Sequence, residues 1–194
     1  MPKKVDHHAR RTLIADALMR VAATQGLEAV SIRHVAAEAG VSTGMVQHYF
    51  RTKDEMMRFA IDVVADRVKE RVAAGGHGDT PKAAVRAFLV QMLPLDRTRV
   101  MEAHVALAYQ AYAAVQPAVE RGRPKNEATR AHIARRIRDA HEHAGTKPPC
   151  DPDLAATTLI GLVEGLGVQV LRRHYPGGHA LAALDAYLDY AFGP

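Results

Sequence analysis

One cysteine, no tryptophan and few aromatic residues narrow what this 194-residue chain can be. The lone Cys150 excludes an internal disulfide framework and fits a reducing cytoplasm. No segment alternates apolar and polar residues in the manner of a half-buried strand, and no internal repeat recurs, so a sheet protein or a solenoid is not expected. Long polar tracts are missing too; apolar residues make up 48% of the chain and charged ones 24%, which argues against disorder. Lys3 and Lys4 near the N-terminus are followed by no apolar stretch, so a secretory leader is not expected. The most apolar window, 154–171, carries Glu164, Gln169 and several Gly and Thr residues, and reads as a buried helix rather than a membrane span.

Signatures of catalysis are absent as well. His7–His8 and His141/His143 lack the i, i+4 spacing of a helical metal pair, and no HExxH segment occurs. Cys150 lies in a Pro-rich loop with no sequence sign of an activating His, and there is neither a Gly-rich phosphate loop nor a nucleophile elbow. The expectation is a protein that is not an enzyme and takes no metal or cofactor.

What the chain does have is alanine, helical periodicity, and Gly and Pro gathered at a few breaks. Apolar residues at Leu13, Ile14, Ala17, Leu18, Val21 and Ala22 predict a helix over 9–25, stopped by Gly26. Ser31 caps a short helix over 32–39 that Gly40 ends, and Ser42 caps another running to Tyr49 or Phe50. Thr52 and Glu55 form a capping box opening a longer helix that ends at the GGHG of 75–78. Further helices are predicted over 81–93, 97–115, 118–144, 152–174 and 179–192, the third of these bent at RGRPKN (121–126). The fold class is therefore all-α with about nine helices: an N-terminal three-helix unit over 1–58 and a larger helical unit over 59–194.

The stretch IRHVAAEAGVSTGMVQHYFR (32–51) has the spacing of a helix-turn-helix. Ala36 is the small residue where two helices touch, Gly40 supplies the tight turn four positions later, and Val46 is the inward apolar residue of the second helix. Thr43, Gly44, Gln47 and His48 are left facing outward, a row of short polar side chains able to approach base edges in a major groove. Residues 1–58 carry nine Lys and Arg against six Asp and Glu, a denser basic excess than in the remainder, which permits an anionic partner there.

Residues 9–57 resemble the N-terminal domain of the tetracycline-repressor (TetR) family of bacterial one-component regulators, on the strength of GLEAVSIRHVAAEAGVSTGMVQHYFRTKDEMM. More loosely, GMVQHYF and LVEGLGVQVL are similar to the choline/betaine-responsive branch. The resemblance implies a cytoplasmic regulator, a repressor by family default, that binds a palindromic operator in double-stranded DNA and responds to a small-molecule effector. Carried over by position, it places Ser42, Thr43, Gly44, Gln47 and His48 at the major groove. Tyr49, Lys53, Ser31 and Arg33 fall on phosphates, and Arg10 and Arg11 on an arm near the minor groove. Each has a plain alternative: Tyr49 as core, the arginines as a solvated helix end, His48 as a helix C-terminal partner. Many relatives carry an aromatic where Gln47 stands; Gln can pair with adenine in a bidentate way, so base preference here is expected to differ.

One such reading head needs a second copy one turn of DNA away. The apolar helix 152–174 and the last helix are expected to build a homodimer, with Leu162, Gly165, Val168, Leu184 and Leu188 at the interface. For the effector, the resemblance implies a pocket among the middle helices, for which the candidates are Phe88, Met92, Met101, His104, Val105, Ala108, Tyr112, Val163 and Glu164. Glu164, as a carboxylate inside an apolar helix, is expected to need a partner: a cationic ligand or an internal Arg. The competing reading of the whole chain is a nonspecific DNA-coating protein without an effector.

Overall fold

The computed structural model describes residues 7–76, 78–116 and 125–193. Among them there are nine α-helices and no strand. The helices are α1 (His7–Gln25), α2 (Ile32–Ala39), α3 (Thr43–Tyr49), α4 (Lys53–Gly75), α5 (Pro81–Val90), α6 (Arg97–Val115), α7 (Lys125–Ala144), α8 (Pro152–Leu171) and α9 (Gly177–Phe192). Most of the bend expected at 121–126 lies outside the described residues.

Helix boundaries follow local chemistry. Ser31 Oγ accepts from His34 N and Ser42 Oγ from Met45 N, each cap contributing about 1 kcal/mol. Gly40, at φ 66°, is the left-handed residue ending α2, with its own N–H on Ala37 O and Val41 N–H on Ala36 O. At α4, Glu55 N–H donates to Thr52 Oγ1 while the Glu55 carboxylate accepts from Arg51 N–H, a capping box displaced by one residue. α8 stops at Leu171, earlier than predicted, because Arg173 adopts φ 57° and His174 N–H closes onto Gln169 O. In contrast, α9 begins earlier, at Gly177, where a Cβ would come within 2.5 Å of Leu95 Cδ2.

The chain divides into two compact units. The first comprises Met1–Arg67 and Val100–Arg121, the second Val68–Arg99 and Gly122–Pro194, so that the first part of α4 and most of α6 pack with the N-terminal helices. The first core gathers Ile14, Leu18, Val35, Ala36, Val46, Phe50, Met56 and Met57 together with Val105, Ala108 and Tyr109 of α6. An Arg67–Asp16 ion pair of 2.6 Å ties α4 to α1 within this unit. In the second core, Val85 and Leu89 of α5, Ile133 and Ile137 of α7, Leu159 and Val163 of α8, and Leu184 and Leu188 of α9 interlock. Bidentate Arg86–Asp185 and Lys82–Asp189 pairs brace α5 against α9. α8 is long and apolar enough to cross a membrane by length and composition, but its Ala155, Ala156, Leu159, Val163 and Leu166 are buried in this core.

The expected partner face of α9 is corrected by these contacts. Leu184 and Leu188 are buried in the chain's own core along with Ala180 and Ala191, the stripe at helical spacing that faces α5, α7 and α8. The outward side of α9 instead shows Ala182, Ala186 and Tyr190, and that of α8 shows Leu154, Gly161 and Gly165, with Leu162 and Val168 half-buried.

Candidate nucleic-acid interface

Helix α3 is only seven residues long and inserts a single fully buried side chain, Val46, into the first core. With about 100° per residue, Gly44 and His48 then point most directly away from the core. Met45 and Gln47 flank them on either side. Thr43, Gly44, Met45, Gln47 and His48 are all exposed. None of these five residues takes part in the first core.

Gly44 makes the case sharpest. A Cβ at this position would meet only Ser42 Oγ at 3.9 Å, so the fold has room for alanine. Glycine within a helix costs about 0.5–1 kcal/mol relative to alanine. The packing of the chain itself therefore does not require glycine at this position. Gly44→Ala is expected to raise stability by up to that amount in a urea titration and to weaken binding to the operator. Unchanged operator affinity would show that no close approach occurs there.

Around this row stand the residues nominated for phosphates. Ser31 and Ser42 spend their hydroxyls on capping, which fixes the N-terminal turns of α2 and α3. Arg10 and Arg33 are exposed. Tyr49 is half-buried at the end of α3 between two imidazoles, with ring centroids 5.2 Å from His48 and 5.7 Å from His7. Lys53 is the first residue of α4, its Nζ 5.8 Å above the Tyr112 ring. The neighbouring acids are occupied: Asp54 accepts from the Tyr112 hydroxyl at 2.5 Å, and Glu55 holds Arg51 N–H. That bond to Asp54, with burial adding to it, pushes the Tyr112 phenol above its ordinary value and keeps it a donor.

Arg11 is a correction. It does not extend as an arm; its guanidinium lies 4.3 Å from the Phe59 centroid and 4.9 Å from that of Phe50, with Glu55 at 3.8 Å. Its Nε is buried and finds no hydrogen-bond partner among the described residues. The signal was present in the sequence, since Arg11 falls on the Ile14–Ala15–Leu18 stripe of α1. Met45 was passed over because it is apolar, although it stands on the exposed side of α3.

The residues nominated for a ligand pocket fall in separate units. Met101, His104, Val105, Ala108 and Tyr112 belong to the first, Phe88, Met92, Val163 and Glu164 to the second. Val105, Ala108 and Val163 are buried as ordinary core. Phe88 and Met92 pack half-buried against the second core, and His104 Nδ1 sits 2.7 Å from Val100 O on its own helix. Tyr112 is engaged with Asp54. Glu164 is exposed rather than inside the apolar packing, so burial does not force a cationic partner on it.

The sequence matches known families over both units. Residues 14–58 match the profile of bacterial regulatory proteins of the tetR family, and residues 81–193 that of the BetI-type transcriptional repressor C-terminal region. The HTH-type transcriptional regulator PksA of Bacillus subtilis is 33% identical over 172 residues, covering 88% of this chain and 83% of that protein. A transcriptional regulator from Rhodococcus sp. Rha1 superposes with a TM-score of 0.80 at 35% identity, covering 93% of this chain and 95% of the other. A regulator from Saccharomonospora viridis, solved in complex with choline, gives 0.78 at 25% identity over 94% of this chain and 97% of that one. An exposed polar helix-turn-helix, nine helices among the described residues and matches to both parts of the chain lead to one conclusion: this protein is a DNA-binding transcriptional regulator and belongs to the TetR family, with a BetI-type C-terminal region.

Proposed function

We propose that the protein represses transcription as a homodimer on a palindromic operator and is released by a small-molecule effector. The observation that carries the DNA part is the outward row of α3, polar but for Met45 and including a glycine that the fold does not need. Thr43, Gly44, Gln47 and His48 face base edges; Ser31, Arg33, Ser42, Tyr49 and Lys53 lie against phosphates. Arg10 serves near the adjacent minor groove. The protein acts in the cytoplasm, where bacterial DNA is.

Two heads must sit roughly 34–36 Å apart on the duplex. Gly161 and Gly165 of α8 support dimerisation through that helix, because a Cβ at either meets nothing within 4 Å in the chain itself. Leu154 and Tyr190, 65% and 52% exposed, add apolar surface to the outward sides of α8 and α9.

The choline seen in the Saccharomonospora regulator supports a small-molecule effector here, without naming it. Within the first unit, the Tyr112–Asp54 hydrogen bond links α6 to the first turn of α4, beside Lys53. A shift of α6 on effector binding thereby reaches a phosphate contact. The effector acts only through its preference for the released state.

The test is binding of purified protein to duplex fragments from upstream of its own gene, at near-physiological salt and with excess random duplex. The proposal expects one fragment to be bound tightly. Lys53→Ala is expected to weaken all duplexes alike and to lower the salt slope by about one per head. Equal binding of every fragment would favour a nonspecific coating protein.

A further inference from the structure

The one large apolar side chain standing on the outward half of α3 is Met45, 38% exposed. A lone exposed apolar residue needs no explanation by itself. Its place does. Met45 and Gln47 lie about 100° to either side of the buried Val46 and so border the Gly44–His48 row symmetrically. Whatever surface Gln47 meets, Met45 meets from the other flank.

Its backbone is fixed. Met45 N–H donates to Ser42 Oγ at 3.1 Å, so only the side chain is free to search. Gly44 beside it has no side chain to hold the helix away from a facing surface. On the operator-binding reading of α3, on which this inference rests, that surface is the floor of a major groove. It offers donors, acceptors and one apolar group, the thymine C5 methyl. A thioether side chain finds no hydrogen-bond partner worth the desolvation there and gains only from apolar contact.

We infer that Met45 is a specificity-determining residue that reads a thymine in each half-site through its C5 methyl. Met45 and Gln47 are about 3 Å apart along α3 and about 160° apart around it, so the two residues address different base pairs from opposite flanks of the helix.

The experiment begins with selection of the preferred duplex by the wild-type protein. Each thymine of that duplex is then replaced in turn by deoxyuridine, which lacks only the methyl group. The expected result is one symmetry-related thymine whose replacement weakens binding by about fourfold in one half-site and about fifteenfold in both, from about 0.8 kcal/mol per methyl buried. Met45→Ala is expected to bind the thymine and deoxyuridine duplexes equally at that position, and Met45→Leu to keep most of the difference. Met45 is 38% exposed, so these variants should stay folded with at most a small drop in unfolding midpoint. If no thymine is sensitive, or if Met45→Ala keeps the same sensitivity, this inference is overturned while operator binding stands. If no duplex is selected over random sequence, both fall together.

Discussion

Gln47→Ala is expected to cost the protein most of its preference for the operator while leaving its grip on random DNA intact. Gln47 is exposed on α3, so its loss should leave stability nearly unchanged. A bidentate pair with adenine is worth about 1–3 kcal/mol of discrimination. A dimer makes the contact twice, so the cognate duplex should lose about 2–6 kcal/mol, or about thirtyfold to twenty-five-thousandfold. Selection by the variant should return a site in which one symmetry-related pair of positions has become degenerate. The salt slope should not move, because no phosphate contact is lost. A uniform loss on all duplexes with a reduced slope would instead put Gln47 on the backbone. That pattern is the one expected of Lys53→Ala, so the two variants act as controls for each other.

The reading head was legible in the sequence because its devices are local. Ser31, Gly40, Ser42 and Thr52 act within a few residues of where they stand, and the structure uses each as a cap or turn. The single inward Val46 with outward residues around it follows from helical periodicity alone. What depended on distant partners was harder to see. That Arg11 turns inward could be read from the apolar stripe of α1, but only folding reveals that Phe50 and Phe59, about forty to fifty residues away, form its seat. The aromatic faces draw the cation by their ring electrons, and Glu55 at 3.8 Å adds an opposite charge from another helix, so neither contact is local in the sequence.

The last two helices show the same limit from another side. α8 and α9 are apolar on more than one face, so periodicity shows that they are buried without showing against what. Leu184 and Leu188 went to the chain's own core, and the outward face holds Ala182, Ala186 and Tyr190. Glu164 was misread for the complementary reason: the apolar letters around it suggested enclosure, but it lies on the exposed side of α8 beside Gly165. Tyr112 was read from the helical stripe of α6, and its hydroxyl bond to Asp54, fifty-eight residues away, could not be seen from that spacing.

Phe50→Ala should show how far DNA reading depends on packing behind α3 rather than on the residues that face the groove. Phe50 is fully buried, terminates α3 with its N–H on Val46 O, and lies 5.4 Å from the Phe59 ring with Arg11 over its face. Truncating a buried Phe costs about 3–5 kcal/mol, a large part of the 5–15 kcal/mol that holds a domain together. The Arg11 guanidinium also loses one of its two aromatic seats, so the cost should fall in the upper part of that range. Urea unfolding should report the loss as a lower midpoint. Operator affinity should fall only in proportion to the fraction of heads left unfolded, since an unfolded head must fold before it binds. Saturating operator DNA should restore part of the midpoint by mass action, because it binds only the folded head. Gln47→Ala gives the opposite pair of readings, unchanged midpoint and lost preference. A Phe50→Ala protein with a normal midpoint and weak operator binding would mean that the aromatic seat sets the pose of α3 without stabilising the fold.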